Sequence, residues 1–269
     1  MRGRWRSSAF RARSNRWRGR SPPDAICVTT GIRFIAFRVR SGMVDPLHSE
    51  PRPSRRLPWS IIGVAMAGCL LLILFFLGTR VVEGDTFALD RRLLLALRGS
   101  DGAPVGSAHF ASMVRDVTAL GSTTVLTIVI VFVTLLLASM GRWRTGALVA
   151  LACTGGMLAN VALKHGVARA RPDLVPHLMT ETSNSFPSGH AANSAIVYLT
   201  LATLAWPLLQ RPAARACAMT AAVLLVVAIG GSRVYLGVHW PSDVLAGWLF
   251  GALWAIGWWR IELRVLGGR

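Results

Sequence analysis

The chain carries apolar runs long enough to cross a bilayer, and that restricts it to very few architectures. Residues 59–79 contain no charged side chain. A helix needs about 20 consecutive apolar residues to span the hydrocarbon core. Within lipid every backbone N–H and C=O must be paired inside the protein, so only helices and closed barrels cross. Runs of this length predict helices. Further runs follow at 118–140, 145–163, 189–209, 216–231 and 241–259. The reading is an all-α, six-transmembrane-helix bundle. Composition agrees: 16% of the residues are charged and 53% hydrophobic, against about a quarter charged in a soluble domain.

The segments between the runs differ in character. Residues 86–98, T-F-A-L-D-R-R-L-L-L-A-L-R, place apolar side chains at helical spacing but are too polar to cross, which predicts an amphipathic surface helix. A loop at 99–104 precedes a second surface helix over 105–115. Residues 1–58 are rich in Arg, Ser and Pro, without sustained periodicity; they read as a disordered basic arm, with 32–40 a short interfacial segment. Residues 59–262 form the membrane domain and 263–269 a short tail. No secretory signal peptide is evident.

Net charge of +18 suggests nucleic acid, but its distribution points elsewhere. Residues 1–42 hold eleven arginines against one acid, Asp24. An alternative reading starts the protein at Met43. The remaining excess suits cytoplasmic loops, and no specific nucleic-acid partner is expected. Cys69, Cys153 and Cys217 fall in apolar runs and no C-x-x-C pair occurs, so the cysteines read as small hydrophobes. Six crossings put both termini on one side. The arm, Arg142 and Arg144, Arg211 and Arg215, and Arg260 and Arg264 share that side, which the positive-inside rule makes cytoplasmic. The expected location is therefore the plasma (inner) membrane.

Three polar stretches then lie together on the outer, periplasmic face. They are K-H-G-V-A-R-A-R-P at 164–172, S-F-P-S-G-H-A at 185–191 and G-G-S-R-V-Y-L-G-V-H-W-P-S-D-V-L-A-G at 230–247. Ionisable groups at a membrane boundary are costly and usually face a cavity. Lys164, Arg171 and Arg233 suit a multiply charged oxyanion, because arginine matches phosphate oxygens bidentately and lysine adds a point charge. Ser188 is a favoured N-cap, Gly189 lets backbone approach an anion closely, and the first-turn N–H groups are free to bind one. Asp243 follows His239 by four residues and can hold the imidazole Nδ1, leaving Nε2 as nucleophile. His190 has no neighbouring acid, which suits a proton donor. His109, His165 and His177 read as surface or loop residues, His165 at the rim. One acid among three cations repels a divalent ion, so neither metal nor cofactor is expected.

Taken together, K-x6-R-P at 164–172, P-S-G-H at 187–190 and S-R-x5-H-x3-D at 232–243 resemble the three-part signature of the type 2 phosphatidic acid phosphatase (PAP2) superfamily, membrane branch. The resemblance implies a helical bundle with its site near the outer surface and a phosphohistidine intermediate. His239 would attack phosphorus and Asp243 orient it. His190 would protonate the leaving oxygen and then activate water. Lys164, Arg171, Arg233, Ser188 and the Gly189 N–H would hold the phosphoryl oxygens. The substrate would be a lipid phosphate or pyrophosphate, first undecaprenyl pyrophosphate, then phosphatidylglycerol phosphate or phosphatidic acid. The alternative is a non-catalytic protein that binds or translocates phospholipid. Oligomeric state is not legible.

Overall fold

The computed structural model of the chain describes residues 59–84 and 87–266. The expected arm, its interfacial segment at 32–40 and residues 267–269 lie outside the described residues. The regular structure described is entirely helical. The helices are α1 (Trp59–Val82), α2 (Ala88–Ala96), α3 (Ala108–Ala119), α4 (Thr123–Ser139), α5 (Trp143–Gly166), α6 (Gly189–Ala205), α7 (Pro212–Tyr235) and α8 (Pro241–Leu266).

Among the described residues four helices, α1, α5, α7 and α8, are long and apolar enough to cross a membrane, and α3 with α4 would make a fifth crossing, bent by 46°. The run expected over 118–140 is thus broken near its start. Ser122 restarts the helix there, its hydroxyl accepting the Val125 N–H at 3.3 Å. Gly121 lies in the break: a Cβ at this position would stand 2.4 Å from Ile229 Cγ2 and 3.4 Å from His190 Cδ2. α6 has 17 residues, roughly 26 Å of helix. α7 is longer than the apolar run at 216–231, because Pro212 opens it at a position where a missing N–H costs nothing. α8 continues past Trp259 to Leu266. The two amphipathic segments fold as α2 and α3.

α6 is the centre of the bundle. Ala191 through Val197 are all buried, and α8 approaches through glycine. A Cβ on Gly251 would lie 2.5 Å from Ala195 Cβ and 2.7 Å from the Ala192 carbonyl, and one on Gly247 would lie 2.8 Å from the Ser188 carbonyl. In lipid no hydrophobic force drives helices together, so small residues that admit close dispersion contact do that work. α4 and α5 close on α6 through Leu126, Ile130, Leu137, Val149, Cys153 and Val197. α1 packs Leu77 and Val81 against Phe186, Ala246 and Leu249. Large apolar side chains meanwhile face outward, among them Leu72 and Phe75 on α1, Ile128 and Phe132 on α4, Leu158 on α5 and Leu224 on α7. On a soluble protein such a belt would drive aggregation; here it is what lipid tails cover.

Candidate active site

The polar residues sit where helix ends meet. Lys164 is in the last turn of α5 and Arg233 in the last turn of α7, while His190 and Asp243 are in the first turns of α6 and α8. The placements of Lys164, Arg233 and Asp243 suit the helix macrodipole, cations at C-termini and a carboxylate at an N-terminus. His239 lies in the five-residue α7–α8 connection, whose turn needs Gly237 at φ +77°. A Cβ there would also stand 2.8 Å from Arg98 Nη2. Arg171 is in the α5–α6 connection.

His239 is 1% exposed. Its Nδ1 lies 3.5 Å from Asp243 Oδ2, and its Nε2 lies 3.4 Å from Arg171 Nη1. A guanidinium only donates, so the nitrogen it faces must present a lone pair. The ring proton then belongs on Nδ1, toward Asp243. Burial pushes the His239 pKa down to about 4, against the opposing hydrogen bond and charge of Asp243, so the imidazole is neutral at pH 7. Asp243 Oδ2 also accepts from Ser185 Oγ at 2.5 Å and the Trp240 N–H at 3.0 Å, and Oδ1 from Arg169 Nη1 at 2.5 Å. Ser185, part of the motif stretch but given no role by the sequence reading, thus holds the catalytic-type pair.

The cations already have partners. Arg233, fully buried, donates to Glu181 Oε1 and to Thr118 Oγ1 at 3.2 Å. Arg171 donates to the Ser183 and Val238 carbonyls at 2.9 and 2.7 Å, and its Nη2 lies 3.6 Å from Glu181 Oε2. Lys164 Nζ donates to Ser183 Oγ at 3.0 Å. Burial alone would raise the Glu181 pKa, but the pairing with Arg233 and Arg171 outweighs it and holds the carboxyl below its usual range. Glu181 is therefore ionised, and it sits on both arginines expected to hold phosphate. Sequence reading passed over it as part of a polar loop.

Ser188 precedes α6 as expected of an N-cap, but its hydroxyl makes no capping bond. The Oγ is buried without a partner among the described residues. Gly189 lies beside Lys164: a Cβ on it would be 3.6 Å from Nζ. His190, Lys164, Gly189 and Glu181 line a cavity of about 460 Å³ that continues past Asn160, Asn193 and Thr123, with His165 on its wall. His190 is within electrostatic reach of Arg233, Glu181, His239 and Lys164. The two imidazoles, the carboxylate and the three cations therefore meet at one end of the bundle. A second, apolar cavity of about 580 Å³ between α4 and α5 shares Thr123, Val161 and Asn193 with the first. His177 stays in its loop, 2.6 Å from the Pro172 carbonyl, and His109 is exposed.

Comparison with known proteins fits this geometry. The family model of the PAP2 superfamily matches residues 143–265, which hold all three motifs. Phosphatidylglycerophosphatase B of Bacillus subtilis is 36% identical over 144 residues, 52% of this chain and 70% of that protein. The chain belongs to the PAP2 superfamily. A solved structure, the transmembrane PAP2-type phosphatidylglycerolphosphate phosphatase of Bacillus subtilis, is similar with a TM-score of 0.66 and 28% identity, covering 76% of this chain and 98% of that one. An undecaprenyl-diphosphatase of Sulfolobus acidocaldarius is 38% identical over 73 residues, 26% of this chain and 30% of that protein. This PAP2 protein is thus a multi-pass membrane phosphatase, a hydrolase of the lipid-phosphate class.

Proposed function

We propose that the protein removes phosphate from a lipid phosphate or pyrophosphate through a phosphohistidine. The observation that supports this is a cavity lined by His190 and Lys164 that adjoins an apolar one, with the buried His239–Asp243 pair, Arg171 and Arg233 within electrostatic reach of those two residues. His239 Nε2 has its lone pair free of a proton and attacks phosphorus as the P–O bond breaks. His190 gives its proton to the departing oxygen. Water then attacks the phosphohistidine, His190 takes the water's proton, and the P–N bond breaks to release phosphate. Lys164, Arg171 and Arg233 hold the phosphoryl oxygens, with the unpartnered Ser188 hydroxyl and the Gly189 N–H assisting; donors fixed in a dry site stabilise developing charge most strongly. Asp243 keeps the ring proton on Nδ1.

The leaving group lies in the cavity beyond His190 and its tail between α4 and α5. Lys164 on that side suits a leaving group that itself carries phosphate, and we put undecaprenyl pyrophosphate first, ahead of phosphatidylglycerol phosphate and phosphatidic acid. The relatives named above act, by name, on the first two of these. In this reading α4 and α6 also cross, giving six spans with both termini cytoplasmic and the site on the periplasmic face.

Phosphate release from a panel of purified lipids in micelles, with and without EDTA, tests the proposal. Release persists in EDTA, and His239→Ala lowers it at least about a thousandfold while the protein stays monodisperse in detergent. Full turnover by that variant would overturn the mechanism, and strict dependence on magnesium would overturn its metal independence.

A further inference from the structure

Asp90 lies outside the three motifs, Arg169 fills one of the unspecified positions of the first, and neither has a part in the chemistry above. Asp90 lies on the surface helix α2, where an acid normally faces water, yet it is 2% exposed. It turns inward onto the start of α8. Its Oδ1 accepts the Ser242 N–H at 2.8 Å, and its Oδ2 accepts Ser242 Oγ at 2.5 Å and Arg169 Nη2 at 3.1 Å. Arg169 reaches past Asp90: its Nη1 donates to Asp243 Oδ1 at 2.5 Å and Ser242 Oγ at 2.8 Å, and its guanidinium lies 5.5 Å over the Trp240 ring. One planar fork thus joins two buried carboxylates, a geometry lysine's single ammonium cannot reproduce.

We propose that Asp90 and Arg169 are positioning residues for the His239–Asp243 pair: Arg169 engages one oxygen of the Asp243 carboxylate so that the other stays on the imidazole, and Asp90 fixes both Arg169 and the α8 turn that carries Asp243. The inference rests on His239 being the nucleophile. Its physical content is twofold. A carboxylate held at one oxygen cannot swing away from His239. The Arg169 charge also offsets part of the Asp243 charge and so limits how strongly the imidazole is pulled toward its protonated form.

Both parts are testable on the full chain in micelles. Asp90→Asn keeps shape and removes charge; Arg169→Lys keeps charge and removes the fork. Each is expected to lower kcat about 10- to 100-fold, the usual consequence of misplacing a reacting group, with KM changed less than about threefold. In an Asp243→Asn background neither should cost more than about threefold further, because groups acting through one another are not additive. Equal losses in both backgrounds would show a structural role, and no loss in either would show no role; each overturns the proposal. A readout independent of turnover is the His239 titration followed by NMR of isotopically labelled histidine. Asp90→Asn leaves the Arg169 charge to act fully on Asp243 and should move the titration to lower pH. Arg169→Gln should move it higher; should that variant fail to fold, Asp90→Asn/Arg169→Gln removes both buried charges and should still move it higher. No shift in these variants overturns the electrostatic part. Absence of phosphate release by the unsubstituted protein would sink the phosphatase reading instead, and would leave the titration to judge Asp90 and Arg169.

Discussion

At the scale of single residues, the environment of His239 sets how the protein responds to acid. Burial depresses its pKa from 6.5 to about 4 despite Asp243. The folded protein therefore declines a proton that the unfolded chain accepts between those values. Stability falls as pH drops from 6.5 toward 4, and is unaffected by this group above 6.5. As the proposed nucleophile, His239 stays unprotonated over the same window. The acid limb of kcat/KM, corrected for substrate ionisation, is expected nearer pH 4 than 6.5; a limb at 6 to 7 would mean that His239 is not held neutral by burial. Lys164, Arg171, His190, Arg233, His239 and Asp243 were legible in the sequence because charge beside an apolar run is conspicuous. Glu181, Ser185, Arg169 and Asp90 were not, since each acquires meaning only from a distant partner: Glu181 from Arg233, 52 positions on, and Asp90 from Ser242, 152 positions on. Arg169 stood inside a stretch already singled out, two residues before Arg171, but its side chain serves Asp243 and Asp90.

At the scale of elements, the α5–α6 connection is more than a tether. Its Glu181 and Ser183 pair with Arg233, Arg171 and Lys164. In the proposed mechanism an incoming phosphoryl group takes over these bonds. Glu181→Gln removes the competing charge and should tighten inhibition by inorganic phosphate about tenfold, roughly 1.4 kcal/mol, read as a product-inhibition constant. An unchanged or weaker constant would mean that carboxylate and phosphate do not share a seat. The helices themselves followed from apolar run length. The break between α3 and α4 did not: Gly121 and Ser122 interrupt a run of suitable hydropathy, and what requires glycine in the break is the close approach of Ile229 and His190, a contact no local pattern contains.

At the scale of the whole molecule, the membrane domain is expected to sustain turnover without the arginine-rich arm. Every hydrogen bond and ion pair described above for the active-site groups comes from residues between Asp90 and Asp243. Deleting residues 1–42 should leave kcat and KM within about twofold, the ordinary range for changes away from a site; a large loss of turnover by the purified deletion protein would give the arm a part in activity. The helix that carries His190 bears a different burden. α6 is nearly enclosed by α5, α7 and α8, is 17 residues long, and includes buried Asn193, Ser194 and Thr200. Alone in a bilayer it would be a poor tenant, short and with amide and hydroxyl groups turned to lipid. In the six-span reading proposed above it would need its neighbours in place, so the centre is expected to form only once α8, which carries Asp243, has joined the bundle.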